Sequence, residues 1–268
     1  MPFKTLISPE TLKIHLGDDD WIVVDCRFSL ADPPAGRRAY QTAHIPGAVY
    51  AHLDEDLSGP PLTDHGRHPL PSPQHLTDLF SRLGIDSSKQ VVAYDNAGGG
   101  IAARLWWLLR YMGHENTAVL DGDWRAWRRA NFPTTAGMEQ NIPATFTGQP
   151  HQEWLVLKDA VPHAPLLVDA RAPERYRGDV EPLDPVAGHI PGAVNYPYKS
   201  NLGENGRFLA PETLRTQLLA TLGSTDPDEA VFYCGSGVTA CHDLLALVHA
   251  GLGNGRLYAG SWSDWIAG

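Results

Sequence analysis

The sequence predicts an α/β protein of two similar domains, each a mostly parallel sheet with helices on both faces. Three observations predict it. The chain has 268 residues, enough for two domains of ordinary size. Its motifs run through once and then recur in the same order. Within each repeat, short apolar runs alternate with apolar segments of helix length, the pattern of strand–helix–strand units.

The repeat begins with Val24-Asp25-Cys26-Arg27, which recurs as Val168-Asp169-Ala170-Arg171. His44-Ile45-Pro46-Gly47-Ala48-Val49 recurs as His189-Ile190-Pro191-Gly192-Ala193-Val194. Leu83-Gly84 matches Leu222-Gly223, and Val92-Ala93-Tyr94 matches Val231-Phe232-Tyr233. Gly122-Asp123-Trp124 matches Gly260-Ser261-Trp262, each followed by a second tryptophan, Trp127 and Trp265. Common order and nearly constant spacing divide the chain into domains at 1–135 and 154–268. The stretch 136–153 carries Gly137, Pro143, Gly148 and Pro150 without a helical period and reads as a linker.

Trp21–Asp25 and Leu166–Asp169 are apolar runs suited to strands buried on both faces, as are Gln90–Tyr94 and Ala230–Tyr233. Each of the latter pair leads through a glycine-containing turn into a helix-length segment, Ile101 to Met112 or Val238 to His249. In such sheets ligands sit beyond the carboxyl ends of strands, which directs attention to the loops after Tyr94 and Tyr233.

Composition excludes several functions. With 43% apolar and 19% charged residues the chain can build a full core. Its net charge of −10 opposes general nucleic-acid affinity, although a local basic pocket for a small anion is compatible with it. No run approaches the roughly 18 consecutive apolar residues of a membrane span, so no membrane partner is expected. The first residues lack the apolar region of a secretory signal. Three cysteines, Cys26, Cys234 and Cys241, do not read as a disulfide framework, and reduced thiols in a cytoplasmic protein are expected. His65 and His68 stand three apart with no Cys-x-x-Cys partner, so no metal site is expected.

The loop after the last apolar run reads Cys234-Gly235-Ser236-Gly237-Val238-Thr239-Ala240. Two glycines let successive amides turn inward, and a helix follows, so the loop should cradle an anion. A cysteine there should have a lowered pKa and a substantial thiolate fraction, and the same amides can hold an anionic persulfide. In the first half the equivalent loop reads Tyr94-Asp95-Asn96-Ala97-Gly98-Gly99-Gly100. A carboxylate cannot carry sulfane sulfur, so this half should be catalytically silent. The glycine run lacks the Lys-Ser/Thr of a phosphate loop and reads as structural.

The run from Cys234 to His242, with both HIPGA segments and both Gly-x-Trp segments, resembles the tandem-domain sulfurtransferases of the rhodanese superfamily, and most of all its 3-mercaptopyruvate branch. The resemblance spans nearly the whole chain. It implies two rhodanese-like domains, the first silent, and a cofactor-free persulfide cycle on Cys234. It also implies a small anionic sulfur donor and a thiol, cyanide or protein acceptor. By the same resemblance Arg175 binds the substrate anion, with Arg177 the neighbouring candidate, while Gly235, Gly237, Val238 and Thr239 complete the substrate loop. A guanidinium suits a carboxylate because it donates two parallel hydrogen bonds. Relatives of this kind carry a second arginine shortly afterwards, where this chain has Leu183.

The neutral pair Gly235 and Ser236 suits a monoanionic mercapto acid better than dianionic thiosulfate. Ser236 is expected to bond the thiol or relay its proton. His44 resembles a histidine that assists this serine in related enzymes; its repetition as His189 favours a structural role in the fold. Arg27 and Arg171 repeat after strand-end aspartates and read as structural ion pairs. The competing readings are a thiosulfate sulfurtransferase and a non-enzymatic sulfur-relay or regulatory module. A cysteine phosphatase would need an arginine at the position of Ala240.

Overall fold

The computed structural model describes residues 2–60 and 66–267. Contacts divide the chain into two compact units. One comprises Met1–Gly59, Pro71–His151 and Asn205–Arg207; the other comprises Pro60–Leu70, Gln152–Glu204 and Phe208–Gly268. The described part of Pro60–Leu70 thus lies within the first half in sequence but belongs to the second unit in space.

In the first unit the elements run β1 (Leu6–Ile7), α1 (Pro9–Ile14), β2 (Trp21–Asp25), α2 (Ala35–Thr42), β3 (Val49–Tyr50), α3 (Pro73–Arg82), β4 (Gln90–Tyr94), α4 (Ala102–Tyr111), β5 (Thr117–Leu120) and α5 (Asp123–Arg129). Ser-Pro pairs start two of these helices. Ser8 Oγ accepts the Thr11 amide at 3.1 Å and Ser72 Oγ accepts the His75 amide at 3.2 Å, with proline in the first turn, where its missing N–H costs nothing. The strands form one sheet in the order β1-β5-β4-β2-β3, parallel at every pairing. Strands β2 and β4 occupy its centre, which is why they read as unbroken apolar runs. Val23, Val92, Tyr94, Ala118 and Leu120 pack with Ile45 and Trp127 in one buried cluster.

The second unit repeats the plan with fewer strands: β6 (Leu167–Asp169), α6 (Pro173–Arg177), β7 (Val194–Asn195), α7 (Pro211–Leu222), β8 (Val231–Tyr233), α8 (Ala240–His249), β9 (Arg256–Leu257) and α9 (Ser261–Trp265). The sheet order is β7-β6-β8-β9, again parallel throughout. Val231, Tyr233, Leu167 and Ile190 share its core with Tyr258 and Trp262.

The stretch read as a linker is more structured than its Pro/Gly content suggests. Residues as far as His151 cluster with the first unit. Phe146 is buried against Phe80 with ring centroids 4.9 Å apart. The amides of Ala144 and Phe146 bond Ser81, and that of His151 bonds Tyr111 O at 2.8 Å. Among the described residues, no helix is long and apolar enough to cross a membrane.

Candidate active site

The loop joining β8 to α8 places Cys234 at the carboxyl end of a central strand. Its amide donates to Ser261 Oγ at 3.0 Å, and its carbonyl accepts the Trp262 amide at 3.0 Å. The Gly-x-Trp segment is therefore the brace that fixes the Cys234 backbone. Ser261 holds φ +57°, a left-handed conformation unusual for a residue with a side chain. Gly237 adopts φ +74° as the loop turns back toward the sulfur.

The surroundings of Cys234 decide its charge. Burial opposes the thiolate, but the Thr239 hydroxyl and the amides of Ser236 and Ala240 all favour it, and the thiol lies below its ordinary pKa. Cys26 is the opposite case: burial, Asp25, Asp95 and Asp56 all push its thiol well upward. Cys241 packs inside α8 with Sγ 3.3 Å from Gly237 O. None of the three cysteines is joined in a disulfide.

Ser236 Oγ lies 2.7 Å from Nδ1 of His68, and both residues are buried. This corrects the assignment of His44 to that role. His44 is fully buried in the first unit, with Nδ1 2.8 Å from Tyr40 O and Nε2 3.0 Å from Thr135 Oγ1. Its repeat, His189, places Nδ1 2.7 Å from Tyr176 O, and each imidazole stacks on the same tyrosine. The HIPGA histidine ties a helix to a turn in both halves. His68 is not duplicated, and that lack of a counterpart is the one sequence signal that could have separated it from the fold-making residues. Of the pair weighed as a metal site, His65 lies outside the described residues.

Arg175 points its guanidinium at the loop. Its Nη1 stands 3.5 Å from where a Cβ on Gly235 would be. A second guanidinium stands at the loop, though not from Leu183: Arg67 Nη2 is 2.8 Å from that same point. A side chain at 235 would collide with it, so the glycine makes room for a guanidinium. Two guanidiniums thus stand beside the neutral Gly235–Ser236 pair. Arg67 is anchored by its amide, which donates to Ser263 Oγ at 3.1 Å. Arg177 does not join them; it is 57% exposed and pairs with Asp179 at 2.8 Å. Arg171 holds Asp169 at 2.7 Å and Arg27 holds Asp25 at 2.6 Å, the same structural ion pair in each half.

The loop of the first half has the same cradle filled by its own side chain. The Asp95 carboxylate accepts the amides of Ala97, Gly99, Ile101 and Ala102 at 2.7–2.9 Å.

A repeated parallel α/β unit with a single cysteine loop defines a tandem-domain protein with one such loop at a strand end. Matches to the rhodanese-like domain over residues 8–130 and 153–268 show that the chain belongs to that family. It is 48% identical over 274 residues to a probable 3-mercaptopyruvate sulfurtransferase of Pseudomonas aeruginosa, covering 99% of this chain and 96% of that one. It is 40% identical over 251 residues to a protein of Mycobacterium tuberculosis named putative thiosulfate sulfurtransferase SseB, covering 91% and 87% of the two chains. Among solved structures it superimposes on the 3-mercaptopyruvate sulfurtransferase of Leishmania major with a TM-score of 0.87 at 32% identity, over 98% of this chain and 74% of that one.

Proposed function

We propose that the chain is a sulfurtransferase that moves sulfane sulfur from 3-mercaptopyruvate to a thiol, cyanide or protein acceptor through a persulfide on Cys234. The observation that carries this reading is a buried thiol with lowered pKa, ringed by loop amides, beside the guanidiniums of Arg67 and Arg175. The thiolate attacks the donor's sulfur, the carbon–sulfur bond breaks, and its electrons leave on the methylene carbon as an enolate. The donor's thiol proton passes to that carbon, giving pyruvate and the persulfide anion. Ser236 and His68 are the groups within reach of such a proton transfer. Cyanide then takes the outer sulfur as thiocyanate and returns the thiolate, a ping-pong cycle that needs no cofactor. Gly237, Val238 and Thr239 shape the loop that holds the charged sulfur.

A second reading has thiosulfate as donor. Arg67 favours it by adding positive charge beside Cys234, and the M. tuberculosis relative bears that name. The likeness to the P. aeruginosa relative supports mercaptopyruvate. The acidic net charge gives no support to a nucleic-acid partner, and three thiols without a disulfide support a reducing compartment, the cytoplasm. The test is a comparison of kcat/KM for both donors with cyanide as acceptor, joined to peptide mass spectrometry. Mercaptopyruvate should be preferred, one sulfur should map to Cys234, and Cys234→Ser should be inactive. A preference for thiosulfate would overturn the donor, and an active Cys234→Ser protein would overturn the mechanism.

A further inference from the structure

The two guanidiniums beside Gly235 already hold a carboxylate. Asp184, on the loop that follows α6, bridges them: one oxygen pairs with Arg67 Nη1 and the other lies 3.3 Å from Arg175 Nη2. Its side chain is only 4% exposed. A second acid, Glu181, has a different role. It grips Arg175 through two bonds of 2.7 and 3.2 Å, reaches Arg171 at 3.3 Å, and accepts the amides of Leu183 and Asp184. Glu181 is thus built into the loop and fixes Arg175. The Asp184 carboxylate makes no bond to its own loop, and among the described residues Arg67 and Arg175 alone hold it. Nε of Arg67 is buried with no acceptor, so this guanidinium has donor capacity that Asp184 leaves unused.

The balance of charge indicates what the pair is for. Arg67, Arg171 and Arg175 face Asp169, Glu181 and Asp184, so the closed cluster is neutral. With Asp184 swung out, one positive charge remains beside Cys234, matching a monoanion and falling short of a dianion. The loop is suited to such a swing, because Val180, Leu183 and Val186 are all exposed and add little packing to hold it.

We propose that Asp184 is an internal stand-in for the donor's carboxylate, which binds by displacing it from Arg67 and Arg175, so that this exchange selects monoanionic over dianionic donors. The proposal rests on the sulfurtransferase reading above. Burial and Glu181 push the Asp184 carboxyl upward against the pull of its arginines, consistent with a carboxylate less settled than its two ion pairs suggest.

The test separates binding from chemistry. Calorimetry on the Cys234→Ser protein, which lacks the attacking sulfur, reads donor binding alone. In that background Asp184→Asn, and independently Asp184→Ser, should bind 3-mercaptopyruvate about tenfold more tightly, because a competing ion pair is gone. Thiosulfate should gain more, narrowing the affinity ratio by at least about threefold, since the displaced carboxylate repels a dianion more strongly. Arg67→Gln should weaken mercaptopyruvate binding about tenfold. Unchanged or weaker mercaptopyruvate binding in the Asp184 variants would overturn the exchange and make Asp184 a fixed positioning residue. Persulfide formation is scored separately on protein retaining Cys234. If no persulfide forms while the affinity gain holds, the functional reading fails and the exchange stands; a persulfide without the gain gives the reverse.

Discussion

Thr239→Val isolates the hydroxyl that does most to keep the Cys234 sulfur charged. Burial works against the thiolate, and the Thr239 hydroxyl is the leading group that favours it, ahead of the Ser236 and Ala240 amides. Valine keeps the branched shape of threonine and removes the donor. A hydrogen bond to a charged group contributes roughly 1.5–3 kcal/mol, so the variant's thiolate fraction at a fixed pH below its pKa should fall at least about tenfold. The sign follows directly: the group that stabilises the charged form is lost, so the acid limb of reactivity moves to higher pH. A thiolate of higher pKa is also a better nucleophile, with a Brønsted coefficient of about 0.4–0.5, so on the alkaline plateau the variant should react roughly threefold faster. The two profiles must therefore cross. Alkylation of Cys234 by iodoacetamide, followed across pH by peptide mass spectrometry, gives both limbs without any donor. A variant whose acid limb coincides with the wild type would refute the view that Thr239 charges the sulfur. One slower at every pH would point to a distorted loop instead.

Three further outcomes are expected. Arg175→Leu should lower kcat/KM for 3-mercaptopyruvate by roughly 30-fold, because a charge-assisted pair contributing about 2 kcal/mol is lost; unchanged kinetics would move the anion site away from this residue. Asp95→Ala should cost about 3 kcal/mol or more of stability in urea melts, since buried amides lose their acceptor. Its sulfur transfer per folded molecule should stay within about twofold, and loss of transfer without unfolding would mean the first half is not silent. His68→Gln should lower kcat at least about 100-fold with little effect on melting, whereas His44→Gln should destabilise the fold and spare kcat; the opposite pattern would restore His44 as the partner of Ser236.

What the sequence disclosed and what it concealed follow one physical division. Strands β2 and β4 were legible to the residue because a central parallel strand is buried on both faces, so all positions but Asp25 and Gln90 at their ends are apolar or aromatic. The Cys234 loop was legible because a backbone that turns its amides inward needs glycine at set places. Arg67 and His68 were not legible. They sit in Gly66-Arg67-His68-Pro69, a stretch with no period, and they reach Gly235 and Ser236 only through tertiary packing across more than half the chain. Residues 136–151 misled for the same reason: Pro143 and Gly148 announce irregular backbone, while the burial of Phe146 on Phe80 depends on a helix distant in sequence.

Repetition itself separates fold from chemistry. What both halves keep, the aspartate–arginine pairs and the HIPGA histidines, proves to be internal scaffolding. What one half alone carries, Cys234, Ser236, Arg67 and His68, converges on the loop after β8. Asp95 shows what the first half holds in the place of a cysteine. An amide ring at the head of a buried helix needs an anion, and leaving those donors unpaired costs roughly 1–3 kcal/mol each. In the first unit the ring takes a fixed carboxylate, whose bonds to the Ile101 and Ala102 amides also cap α4. In the second it takes the Cys234 sulfur, which the proposed cycle would extend by one atom and discharge. The same backbone thus encloses either a carboxylate or a thiol, and the residue at the strand end is what distinguishes the two halves.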